Sequence, residues 1–112
     1  MIKNNFISQP MEYNKLVRDK IPEIINGKGV IAKTHIASDE EYKSKLREKL
    51  LEEVQEYLED PCVEELADIL EVVYALSLLE GVNREQLEEV RKKKADERGG
   101  FKQKIILEST ND

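Results

Sequence analysis

Glu52-Glu53-Val54-Gln55-Glu56, followed after a break at Asp60-Pro61 by Glu64-Glu65-Leu66-Ala67-Asp68-Ile69-Leu70-Glu71, is the stretch on which the fold turns. Residues three apart share one face of an α-helix, so Glu53 with Glu56, and Glu65 with Asp68, each present two carboxylates in one direction. Two helices folded back on one another across the break would bring all four over one gap.

Upstream of the break, Leu46, Leu50, Leu51, Val54, Tyr57 and Leu58 form a broad apolar arc at about 100° per residue, and Glu53 falls inside it, between Leu46 and Tyr42. Glu56 sits at the edge of the arc, and Glu52 points away. Downstream, the segment from Leu66 to Leu79 is apolar nearly all round, which predicts a buried helix; Glu65 projects between Ile69 and Val72, and Asp68 lies beside Leu79. A carboxylate at a core-facing position is costly unless it is protonated, paired or bound to a cation, and several converging on one gap repel one another. A divalent cation resolves that conflict. An all-carboxylate set selects a hard ion, Mg²⁺ or Mn²⁺ rather than Zn²⁺, and Mg²⁺ keeps positions open for water and phosphates. An acidic flank paired with nearby Lys and Arg is the alternative, and spacing alone leaves both open.

Start and stop signals delimit the helices. Ser38-Asp39-Glu40-Glu41 has the form of a capping box and opens a helix running to about Glu59. Asp60 as N-cap and Pro61 at the first helical position start the next, which runs to Glu80 and stops at Gly81. So short a connection makes the two antiparallel neighbours. Asn83-Arg84-Glu85-Gln86 is another capping box, and its helix carries the basic run Arg91 to Lys94 before ending at Gly99-Gly100. Nearer the N-terminus, Asp19 caps a helix with Pro22 in its first turn, ended by Gly27 and Gly29. Val30 to Ala37 and Phe101 to Leu107 read as extended runs whose pairing gives a small two-stranded ribbon. His35 has no second His or Cys nearby, so it reads as a packed or exposed histidine rather than a ligand.

The predicted fold is therefore all-α with that ribbon, in one domain over residues 12–108, between a flexible extension at 1–11 and a tail at 109–112. Charged residues make up 38% of the 112 and aromatics 5%, which favours helices with charged outer faces. The net charge of −6 argues against a nucleic-acid or anionic-membrane surface, while admitting a small polyanion delivered with Mg²⁺. Cys62 is the single cysteine, and no signal peptide or 18-residue apolar span is present, so a cytoplasmic protein is expected.

Taken together, the motifs resemble the MazG-like all-α nucleoside triphosphate pyrophosphohydrolases, in the small single-domain phosphoribosyl-ATP pyrophosphohydrolase-like branch. The paired motif stands here as Glu52-Glu53-x-x-Glu56 and Glu65-x-x-Asp68. The branch is also similar at Tyr13-Asn14-Lys15-Leu16-Val17-Arg18-Asp19-Lys20-Ile21-Pro22-Glu23-Ile24 and at Lys94-Ala95-x-x-Arg98-Gly99-Gly100-Phe101. The likeness spans roughly residues 12–107. It implies that Glu53, Glu56, Glu65 and Asp68 hold Mg²⁺, and that a nucleotide is cleaved between its α- and β-phosphates in nucleotide-pool house-cleaning. It also implies a homodimer or homotetramer, with a four-helix bundle completed between copies. Only eight residues separate Glu56 from Glu65, fewer than is usual in the family, which shortens the turn and leaves pocket depth and base preference open.

In such a mechanism the ions would withdraw charge from the phosphates and activate a water, and no protein nucleophile is needed. Glu52 and Glu53 are then the catalytic candidates, Glu52 by orienting the water, with Glu71 a more distant neighbour. Lys94 and Arg98, four apart on one helical face, and Lys15 and Arg18 are the candidates for the triphosphate tail; each equally suits a solvated surface charge. The competing reading is a non-catalytic helical interaction protein with acidic surface helices.

Overall fold

The computed structural model describes residues 11–111, and among them the regular structure is four helices and no strand: α1 (Ile21–Gly27), α2 (Asp39–Glu59), α3 (Val63–Leu79) and α4 (Arg84–Arg98). The all-α expectation holds. The expected extension, apart from Met11, lies outside the described residues.

α2 starts where the sequence places it. Ser38 Oγ accepts the Glu41 backbone N–H at 3.2 Å, while the Glu41 carboxylate, instead of completing a reciprocal box, meets Nε2 of the exposed His35 at 3.0 Å. At α4 both halves of the box form, Asn83 Oδ1 accepting from the Gln86 N–H and Gln86 Oε1 from the Asn83 N–H, each at 2.9 Å.

Two starts differ from the sequence reading. Asp60 ends α2 rather than capping α3: its N–H bonds to the Glu56 carbonyl at 3.0 Å, with φ −145° and ψ 79°. The ring of Pro61 disfavours the helical region for the residue before it, which fits the end of α2 at Asp60; α3 itself begins at Val63, with Cys62, at φ −158° and ψ 164°, as an N-cap that makes no side-chain bond. Similarly, α1 is entered through a turn in which the Ile21 N–H bonds to the Arg18 carbonyl at 3.0 Å. That turn places Lys20 at the N-cap and moves Asp19 one position too far back to cap.

The end of α3 is closed on both sides of Gly81. The Gly81 N–H bonds to the Leu78 carbonyl and the Val82 N–H to the Ser77 carbonyl, both at 3.0 Å, which is the Schellman arrangement. Buried Ser77 adds a third tie, its hydroxyl donating to the Val82 carbonyl at 2.6 Å.

The ribbon does not form. Ile31, Ile36 and Phe101 are each more than nine-tenths exposed, and neither run has a backbone ladder. An isolated pair of strands is marginal in water unless something packs on it, and nothing else in the described chain does. The expectation that α3 is buried also fails within one chain. α2 and α3 pack along each other as a hairpin, yet among the described residues the only buried apolar side chains are Leu46 and Val72, while Val63, Leu66, Leu70 and Leu78 on α3 stay exposed. α4 touches α3 only lightly. The radius of gyration is 19.9 Å, against about 13 Å for a compact chain of this length.

Gly81 has φ +80°, and a Cβ there would meet nothing within 4 Å, so a substitution is opposed by backbone conformation alone. Gly81→Ala is expected to cost about 1–2 kcal/mol in urea denaturation, with the helical content of the native baseline preserved.

Candidate metal centre

The short connection of residues 60–62 folds α3 back on α2 and sets the two acidic motifs opposite each other. Carboxylate oxygens of Glu53, Glu65 and Asp68 lie within 4.8 Å of one another, and so do those of Glu52, Glu53 and Glu56. Glu53 is common to both groups and is only 6% exposed. Glu53 Oε1 stands 3.2 Å from Lys49 Nζ, whereas Glu53 Oε2 and Glu65 Oε2 are buried without any hydrogen-bond partner. Glu52, read from helical angle as pointing away, belongs to the cluster because its long side chain is drawn in by Lys15 at 3.2 Å and Lys49 at 3.5 Å.

The electrostatics follow from this crowding. The Glu53 charge pushes the Glu56 carboxyl above its ordinary value, with desolvation and Glu52 adding to the effect. Desolvation pushes Glu65 up, helped by Glu56, Glu53 and Asp68. Desolvation would raise Glu52 too, but the Lys15 hydrogen bond and the Lys49 and Lys15 charges together outweigh it, and its carboxyl is held below the usual range.

Compensation within the chain is incomplete. Among the described residues three cations, Lys15, Lys49 and Arg18, face five carboxylates. Arg18 reaches Asp68 at 2.7 Å, but that pair and Lys15–Glu52 are both substantially solvent-exposed, and pairs of this kind are worth about 0–1 kcal/mol. Neither relieves the buried Glu53 and Glu65 oxygens. Two orphaned buried carboxylate oxygens in an all-oxygen set fit a hard divalent cation.

Of the phosphate candidates, Lys15 and Arg18 are brought to the cluster, on the carboxylates themselves. Lys94 and Arg98 are exposed on α4 and make no ion pair among the described residues. Glu71 is exposed and outside both carboxylate groups. The sequence reading missed Lys49, whose signal was its position three and four residues before Glu52 and Glu53. It also missed Lys45, which donates to the Asn14 carbonyl at 2.8 Å and ties the N-terminal segment to α2. An open depression lined by Glu48, Leu51, Glu52, Gln55 and Glu56 adjoins the cluster. Comparison with family models, curated proteins and solved structures finds no match to the chain.

A carboxyl raised by folding destabilises the folded state when it ionises. The penalty is present above the raised value and disappears as pH falls through it and below the ordinary 4.5 of Glu65. Glu65→Gln is therefore expected to raise the thermal midpoint of the ion-free protein in EDTA at pH 7, with the gain shrinking toward pH 4. A lower midpoint at pH 7 would show that the Glu65 carboxylate is compensated after all. Lys49→Met should act oppositely and lower the midpoint at pH 7, because it leaves Glu53 with no cation on either oxygen.

Proposed function

We propose that this chain is a Mg²⁺-dependent nucleoside triphosphate pyrophosphohydrolase of the MazG-like kind, acting on nucleotides in the cytoplasm. The observation that carries this reading is the buried Glu53, with one oxygen unpartnered, converging with Glu65 and Asp68 from a second helix. The paired acidic motifs and their flanking Tyr13–Ile24 and Lys94–Phe101 stretches support the family. Glu53, Glu56, Glu65 and Asp68 would hold the ion, Mg²⁺ or Mn²⁺. When bound, it supplies charge withdrawal from the phosphates and activation of water.

The remaining work falls to the chain. Water would attack in line at one phosphorus of the α,β-anhydride and give up a proton to solvent, while the bond from that phosphorus to the bridging oxygen breaks and the bridging oxygen leaves with the electron pair, giving the monophosphate and pyrophosphate. Glu52, whose Oε2 already accepts from Lys15 at 3.2 Å and lies 3.5 Å from Lys49, would orient the attacking water through its other oxygen, with Lys49 keeping it ionised once Lys15 is released. Lys94 and Arg98 are free to meet the triphosphate tail, as are Lys15 and Arg18 once released from their carboxylates.

The protein is also proposed to be at least a dimer. The exposed apolar face of α3 and the open depression beside the cluster leave the base of a nucleotide without a wall inside one chain. A second copy packing two-fold on α3 would supply that wall and complete a four-helix bundle. Exposed apolar surface is also what a non-catalytic interaction protein would present, but such a scaffold gains nothing from a buried Glu53.

Asp68→Asn and Glu53→Gln are each expected to lower pyrophosphate release from an NTP panel by at least about a hundredfold while the far-ultraviolet spectrum stays helical. Asp68→Asn with undiminished turnover at millimolar Mg²⁺ would remove Asp68 from the ligand set. Replacing Lys94 and Arg98 by Ala should raise KM by about tenfold with little change in kcat. Light scattering at micromolar concentration should return at least twice the 13.0 kDa chain mass; a stable 13.0 kDa species would exclude the shared bundle.

A further inference from the structure

The segment leading into α1 carries the only cations that reach the acidic cluster from outside α2 among the described residues. Arg18 donates to Asp68 at 2.7 Å and Lys15 to Glu52 at 3.2 Å, across 50 and 37 residues of sequence. Lys45 on α2 fastens the same segment by donating to the Asn14 carbonyl at 2.8 Å, where Asn14 takes a left-handed turn at φ 49°. Leu16 and Val17 between these ties are half-buried, while residues 11–18 have no helix or strand of their own. The segment is thus a strap held to the hairpin by a few polar ties, two of them on carboxylates of the candidate ion site.

A guanidinium bonded to Asp68 and a divalent ion drawn to the same carboxylate repel one another and compete for its charge, even where they take different oxygens. Arg18 bonds one oxygen of Asp68 while the neighbouring Glu53 Oε2 and Glu65 Oε2, buried and unpartnered, stay uncompensated. A divalent cation reaches all three residues at once, which a guanidinium on one edge does not.

We propose that residues 13–20 form a cation-exchange latch: in the ion-free chain Arg18 and Lys15 stand in for the divalent cation, and ion binding displaces Arg18 from Asp68 and frees it for the phosphates of the nucleotide. The latch rests on the pyrophosphohydrolase reading for its ion and its nucleotide, but its own content is the competition between Arg18 and the cation. The exchange adds one positive charge to the cluster, since an ion of charge +2 arrives as the single charge of Arg18 leaves, and that gain falls where five carboxylates converge. Nucleotide delivered with Mg²⁺ would then meet a guanidinium released by the ion it brings. Without the ion the strap stays down over the acids.

Two measurements on the full chain test this. Trypsin cleaves after Lys15 and Arg18 only when those side chains enter its pocket, so cleavage at both sites, followed by mass spectrometry, should speed up by about two- to fivefold on adding Mg²⁺, while cleavage within α2 slows. In calorimetric titrations with Mn²⁺ alone, Arg18→Gln should bind the ion about two- to fivefold more tightly than wild type, whereas Lys20→Gln, which removes an equal charge two residues away from a side chain with no ion pair, should not. Equal tightening by Lys20→Gln would reduce the effect to net charge and overturn the latch. So would Mn²⁺ binding that depends on Glu53 while strap cleavage is unchanged and Arg18→Gln binds no more tightly; that result would leave the metal centre standing. No Mn²⁺ binding by wild type or Arg18→Gln would sink the latch and the metal-dependent function together.

Discussion

A carboxylate that cannot leave the interior is the constraint on which the rest depends. Glu53 occupies the same inward side of α2 as Leu46, in the line along which α2 meets α3, and among the described residues only Lys49 reaches one of its oxygens. Across the gap Glu65 meets no cation among the described residues; desolvation first and then its acidic neighbours push its carboxyl up, while the Glu53 charge pushes up that of Glu56. A hairpin selected only for stability would place Leu or Ala at such positions. The acids make physical sense when a cation belongs among them.

That constraint also orders the surroundings. Lys49 is spaced one helical turn before Glu53, and the strap places Arg18 and Lys15 on the outer carboxylates. Lys15 and Arg18 cover the exposed edge of the cluster and Lys49 reaches Glu53 Oε1, which leaves Glu53 Oε2 and Glu65 Oε2 without a partner among the described residues. The apolar side chains are distributed with a similar incompleteness: Leu46 and Val72 close a narrow seam, and Val63, Leu66, Leu70, Leu78 and Leu79 on α3 face solvent in one chain. The acidic centre and the uncovered apolar face lie on the same helix pair, so a second copy packed on α3 would bound the site as well as the core.

Helix existence and the meeting of the two acidic motifs were legible in the sequence because both follow from local periodicity and capping. Ser38, Asn83 and Gly81 behave as their residue types require. The errors arose where a neighbour overrode a local signal. Pro61 kept Asp60 from helical conformation and ended α2 there, while the next helix took Cys62 rather than Asp60 as its N-cap. A turn shifted the start of α1 past Asp19. Two β-branched runs looked like a ribbon, but pairing needs a packed face that periodicity cannot supply, and Ile31, Ile36 and Phe101 stand in solvent. Glu52 defeated the helical-wheel angle because a long side chain follows its counter-charges, Lys15 and Lys49, rather than its Cα direction. The placement of Lys15 and Arg18 on carboxylates depended on contacts 37 and 50 residues away, beyond the reach of any local pattern.

The central claim, that Glu53 and its neighbours form a divalent cation site, is tested most directly by electron paramagnetic resonance of Mn²⁺ titrated into the full chain and into Glu53→Gln. The free-ion signal is predicted to be suppressed up to a fixed stoichiometry in the wild-type protein and to persist from the first addition with Glu53→Gln. A wild-type titration in which the free-ion signal grows from the start, or one that Glu53→Gln reproduces unchanged, would contradict the account.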